Sequence, residues 1–195
     1  MEITPKNHTK QQFSRKFNSS QMAFSHNLRL LFAVVLAISV ANVTADLVDD
    51  ICAKTPQPAT CKQLLGSDPR SKTSDLVALE TVAIDVASRQ AKSGQSLVSS
   101  LHSGATDPKL KEIYSSCLEN YGDSVDSIGQ LPGFLRSKDY GSLGSYASAA
   151  LDGPATCDDN FSRSSPEPSQ LKDASVKLRT ICSAVLAINN KLSGQ

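Results

Sequence analysis

This sequence is poor in the residues that carry most enzyme chemistry. Of its 195 residues none is tryptophan, 5% are aromatic, and of the three histidines only His102 lies beyond residue 45. A lone histidine with no nucleophile motif around it offers no general-base arrangement. The five cysteines include no Cys-x-x-Cys pair, so zinc-site spacing is missing. There is no Gly-rich phosphate loop either. These gaps argue against an enzyme, a bound metal and a cofactor.

Cationic charge is also scarce once the first 45 residues are set aside. Those residues hold Lys6, Lys10, Arg15, Lys16 and Arg29 against a single acid, Glu2, so the remainder carries 15 basic and 18 acidic residues, a formal charge of −3. A nucleic-acid partner would call for a basic patch instead. The first 45 residues themselves read as a secretory leader with a long n-region. Arg29 precedes an apolar run from Leu30 to Val40, and Val43 and Ala45 suit the −3 and −1 positions of a cleavage site. The run is shorter than the roughly 20 apolar residues a membrane span needs, so no membrane attachment is expected after cleavage. Met22 could also initiate a leader of ordinary length.

What remains, about 150 residues, suits one domain with a proper core. All five cysteines, Cys52, Cys61, Cys117, Cys157 and Cys182, fall within it. In an oxidising compartment they predict two disulfides and one leftover thiol, with fifteen arrangements open. Four amphipathic stretches follow residue 70. Leu76, Leu79, Ala83, Val86, Ala87, Gln90, Gly94, Leu97 and Leu101 set the first stripe, and Leu110, Ile113, Cys117, Tyr121, Ser124, Ile128 and Leu131 the second. Pro132 and Gly133 are expected to end that second helix. The third groups Leu143, Ala147, Ala150, Leu151, Cys157 and Phe161, with Gly153 and Pro154 expected to kink or interrupt it. The fourth runs from Leu171 to Leu192 and carries Cys182 on its apolar face. The predicted fold is all-α: an antiparallel up-and-down four-helix bundle over 70–195, preceded by an N-terminal helical hairpin over 46–69.

One pattern asks for an explanation. "CLENYGDSVDSIGQ" places Glu119, Asp123 and Asp126 at i, i+4 and i+7, and no Lys, Arg or His lies between Glu112 and Leu135. Each like-charge neighbour costs an isolated helix a few tenths of a kcal/mol. On a helical wheel the three acids fall opposite Cys117, Tyr121 and Ile128, so they point out of the bundle. Asp152, Thr156 and Asp159 share the outward side of the third helix. A solvated face is the ordinary reading of such a run; a docking surface for a complementary partner is the sharper one.

The motifs "ICAKTPQPATC", "SDPRS", "ATDPKLK", "ENYGDSVDSIGQ", "DYGSLGSYASAALDGPATCDDNF" and "AINNKLSGQ", in this order with the cysteines, resemble the plant invertase and pectin methylesterase inhibitor family across 46–195. "ATDPKLK" and "SYASAALDG" look like its fruit-type pectin methylesterase inhibitors. The resemblance implies pairing of Cys52 with Cys61 and Cys117 with Cys157, leaving Cys182 free. It implies a secreted protein of the plant cell wall that forms a 1:1 complex with pectin methylesterase across the pectin-binding cleft. Carried over by position, the contact residues are Glu119, Asn120, Asp123, Asp126, Tyr146, Thr156 and Asp159. The sister activity, inhibition of acid invertase, resembles itself across members by a Pro-Lys-Phe tripeptide, where this chain has Tyr140, Gly141 and Ser142. A secreted helical lipid carrier is the alternative from another class. "NFS" at Asn160 is a glycosylation sequon, expected to stay unmodified beside such an interface.

Overall fold

The computed structural model describes residues 47–162 and 165–194; the leader expected over 1–45 lies outside them. The described residues fall within one compact unit. Residues 47–52 are helical (α1), and α2 follows at Pro58–Gly66 with proline at its first turn. A 3₁₀ turn at Pro69–Ser71 leads into four long helices: α3 (Leu76–Gly104), α4 (Pro108–Ser137), α5 (Tyr140–Ser162) and α6 (Ser169–Leu192). Among the described residues there is no strand.

Helix starts are written locally. Asp75 Oδ1 accepts the amides of Val77 and Ala78, and Asp107 Oδ1 accepts that of Lys109 with Pro108 behind it, two ordinary N-caps. α4 stops where Lys138 turns left-handed (φ 58°), its amide on the Leu135 carbonyl while the Asp139 amide reaches that of Phe134. Asp139 in turn accepts the Ser142 amide at 3.0 Å and opens α5. The "SDPRS" motif is a clasp: Arg70 bonds both oxygens of Asp68 and reaches Asp85 on α3 at 2.9 Å.

Each long helix packs on the next in chain order and α6 closes the ring against α3, while α2 lies on α6 and α3. This is the antiparallel four-helix bundle with a helical hairpin attached. The core holds Leu79, Tyr121, Ile128, Leu131, Leu143, Phe161, Leu178, Ile181 and Ile188, each 0–1% exposed. The buried face of α3 is broader than a single stripe, adding Val82, Ile84, Ala91 and Val98, because α3 meets α4, α6, α2 and the 3₁₀ turn.

One expected helix end and one expected interruption did not materialise. α4 runs through Pro132 to Ser137. Leu131 and Leu135 are both buried, and burying that last turn outweighs the one backbone bond a proline removes. α5 runs unbroken through Gly153 and Pro154, for a reason found in its partner helix.

The cysteine pairing agrees with the expectation. Cys52–Cys61 ties α1 to α2 with Cα atoms 5.4 Å apart, and Cys117–Cys157 joins α4 to α5 with Cα atoms 4.8 Å apart. Cys182 is the buried free thiol, and its burial pushes its pKa up to about 12, as expected of an inert packing residue.

Candidate partner-binding face

The outward surfaces of α4 and α5 form one face, and the seam between them fixes its geometry. Pro154 has no amide hydrogen, so the Ala150 carbonyl four residues back loses its helical donor. Ser124 of α4 supplies one: its hydroxyl lies 3.1 Å from the Ala150 carbonyl and 3.2 Å from the Asn120 carbonyl of its own helix. That contact requires the helices to approach closely. Gly153 permits it, since a Cβ there would run into the Asn120 carbonyl and Ser124 Oγ. Further along, Asn160 Nδ2 donates to Ser116 Oγ at 3.1 Å beside the Cys117–Cys157 bridge. Two side-chain hydrogen bonds and a covalent bond thus hold α4 and α5 in one register.

On this frame the structure exposes Glu119, Asp123 and Asp126 along α4, and Tyr146, Thr156 and Asp159 along α5. Asn120 differs. It is half-buried, its Nδ2 is buried without a hydrogen-bond partner among the described residues, and its carbonyl abuts Gly153. It belongs to the seam more than to the open surface. Sequence reasoning also missed Phe134, whose ring lies 5.0 Å, centroid to centroid, from that of Tyr146.

Beneath the face sits a polar layer that periodicity does not reveal. Tyr121 is fully buried, pressed over Gly94, where a Cβ would meet its ring. Burial, then the charges of Asp158 and Glu167, hold its hydroxyl protonated far up the pH scale. Asp158 Oδ2 accepts Ser175 Oγ at 2.7 Å and faces Arg179 at 3.7 Å. Burial and then the neighbouring Asp158 charge raise Glu167 to about 7. Among the described residues no group of three or more metal-binding side chains converges. The face offers charge, an aromatic ring and hydrogen-bonding groups, which suits recognition.

A family model described as plant invertase/pectin methylesterase inhibitor matches residues 46–188. A pectinesterase inhibitor from Actinidia deliciosa is 46% identical over 89% of this chain and 99% of its own length. A putative invertase inhibitor from Platanus acerifolia is 32% identical over 72% of this chain and 82% of its own. The crystal structure of a mutant pectin methylesterase inhibitor from Arabidopsis superposes with a TM-score of 0.66 at 28% identity, covering 72% of this chain and 93% of that one. By sequence match and by architecture alike, the chain belongs to the plant invertase/pectin methylesterase inhibitor family.

Proposed function

We propose that this protein inhibits plant pectin methylesterase by forming a 1:1 complex in which the α4–α5 face covers the enzyme's pectin-binding cleft. The observation that carries the proposal is the exposed stripe of Glu119, Asp123 and Asp126, which no basic residue of α4 between Glu112 and Leu135 neutralises. With Tyr146, Thr156 and Asp159 beside it on α5, and Asn120 at the seam, the stripe forms a rigid surface for basic and polar groups of the enzyme. Complementary charge speeds encounter and excludes wrong partners. The cost of three like charges to the isolated helix is thereby retained for recognition. Residues 1–45 serve as a cleaved leader, residues 46–69 as the hairpin and residues 70–195 as the inhibitory bundle, acting in the plant cell wall.

The test is charge reversal. Asp123→Lys with Asp126→Lys is expected to weaken inhibition at least tenfold while far-UV circular dichroism stays unchanged. Inhibition equal to the parent protein would count against the proposed face.

The invertase reading also has relatives behind it, the Platanus acerifolia protein among them. Here the relevant tripeptide, Tyr140 to Ser142, is built into the first turn of α5. The Ser142 amide is held by Asp139, and the Tyr140 carbonyl accepts Asn189 Nδ2 at 3.0 Å. These residues lack the proline, the cation and the phenyl ring of the invertase tripeptide, which favours the esterase as target.

A further inference from the structure

Among the described residues only two large apolar side chains are exposed, Val77 (43%) and Tyr146 (41%). Val77 borders a groove between α3 and α4 with Thr81, Ile84, Pro132 and Leu135. Tyr146 stands on the α4–α5 face, and it does not stand alone. The ring of Phe134 lies against it at an interplanar angle of 48°, within the tilted arrangements aromatic pairs prefer.

Phe134 is itself anchored from below. It packs on the core, and its carbonyl accepts the Asp139 amide at 2.9 Å in the turn that ends α4. On a wheel of 100° per residue Phe134 falls about 60° from Glu119, and it lies about 12 Å along the axis from Asp126. The aromatic pair and the acidic stripe therefore occupy one continuous face. Acids fill its middle, and the two rings form a ledge at the end nearest the α4–α5 turn.

We propose that Phe134 is a positioning residue that holds Tyr146 as a pre-ordered aromatic anchor for the sugar-binding cleft of a pectin methylesterase; this rests on the function proposed above. A cleft that binds a polysaccharide must accommodate the C–H faces of pyranose rings, and aromatic surface serves that purpose. A tyrosine ring brings apolar area and a polar tip on few rotatable bonds. Left unsupported on a helix surface, that ring would have to give up its rotamer freedom on docking. Contact with Phe134 removes this freedom beforehand. The ledge and the stripe then divide the work: charge governs association, and the anchored ring governs dissociation.

The experiment compares the parent protein with Phe134→Leu, Phe134→Tyr, Tyr146→Ala and the Phe134→Leu/Tyr146→Ala pair. It measures inhibition constants and dissociation rates against a plant pectin methylesterase at two salt concentrations. Leucine keeps the apolar bulk against the core, so folding is preserved. Tyr146→Ala is expected to speed dissociation about tenfold and Phe134→Leu about fourfold, each with its salt dependence unaltered. The double variant should be no worse than Tyr146→Ala alone, and Phe134→Tyr should behave like the parent. In parallel, proton NMR should show the Tyr146 ring resonances of Phe134→Leu moving toward free-tyrosine positions, a readout that needs no esterase. Phe134→Leu inhibiting within twofold of the parent would overturn the inference, as would single-variant effects that multiply in the pair or an undisturbed Tyr146 ring. If the parent protein itself fails to inhibit, the proposed function falls and takes this inference with it.

Discussion

Ser124 shows how much of the face depends on single atoms. Its hydroxyl stands in for the amide that Pro154 lacks, giving the Ala150 carbonyl a donor across the seam. Removing it by Ser124→Ala leaves a buried carbonyl without that donor, which costs about 1–3 kcal/mol. Pro154→Ala returns an amide hydrogen four residues beyond Ala150 and so replaces the lost donor. Urea unfolding should therefore find the Ser124→Ala penalty smaller in the Pro154→Ala background than in the parent. Equal penalties in both backgrounds would show that the hydroxyl does not compensate the proline. Gly153 makes the same point sterically, since any side chain there meets the Asn120 carbonyl.

At the scale of elements, the two disulfides do unequal work. Cys52–Cys61 closes a span of 9 residues and Cys117–Cys157 one of 40, worth about 2.5 and 4 kcal/mol on the chain-entropy model. The longer bridge also fixes the register of the two helices that form the proposed face. Replacing both Cys117 and Cys157 by alanine is expected to lower stability and inhibition together, whereas the same change at Cys52 and Cys61 lowers stability and leaves the inhibition constant nearly unchanged. Thermal melts and inhibition titrations on the two variants check this.

The elements also show what the sequence made legible. The four long helices and the outward direction of Glu119, Asp123 and Asp126 follow from 3.6-residue periodicity, a local signal. The continuity of α5 does not, because the group that accommodates Pro154 lies 26 residues from the carbonyl it serves. The Phe134–Tyr146 pair was hidden for a similar reason: Phe134 lies beyond Pro132, where the second helix was expected to end. Asn120 joined the contact set through the family resemblance, which says nothing about how closely Gly153 lets the neighbouring helix approach.

Across the whole molecule, pH dependence is set by carboxyls displaced in both directions. Hydrogen bonding to Lys191, Arg70 and the Ser142 amide holds Asp50, Asp68 and Asp139 below their ordinary range. Their stabilisation is present above about pH 4 and lost as pH falls further. Glu80 is fully buried, with neither carboxylate oxygen hydrogen-bonded among the described residues, and burial pushes it well above the usual carboxylate range. Glu167 is raised from 4.5 to about 7. For both, the folded chain keeps a proton that the unfolded chain releases above about pH 4.5, so stability falls as pH rises through this window. Glu167 contributes about 1–2 kcal/mol of that fall once solvent screening is included. The fold is thus expected to be most stable near pH 4–5. Urea midpoints taken from pH 4.5 to 7.5 should decline, and Glu167→Gln should flatten the decline; a midpoint that rises over this range would contradict the assignment.

The proposed docking of the α4–α5 face on a pectin methylesterase is tested most directly by one comparison. Inhibition constants of the purified protein and of its Asp123→Lys/Asp126→Lys variant are measured in parallel against a plant pectin methylesterase and an acid invertase at mildly acidic pH. The expected result is inhibition of the esterase alone, weakened at least tenfold in the variant at low salt, with the difference shrinking as salt rises. Inhibition of the invertase instead, or equal inhibition of the esterase by both proteins, would contradict it.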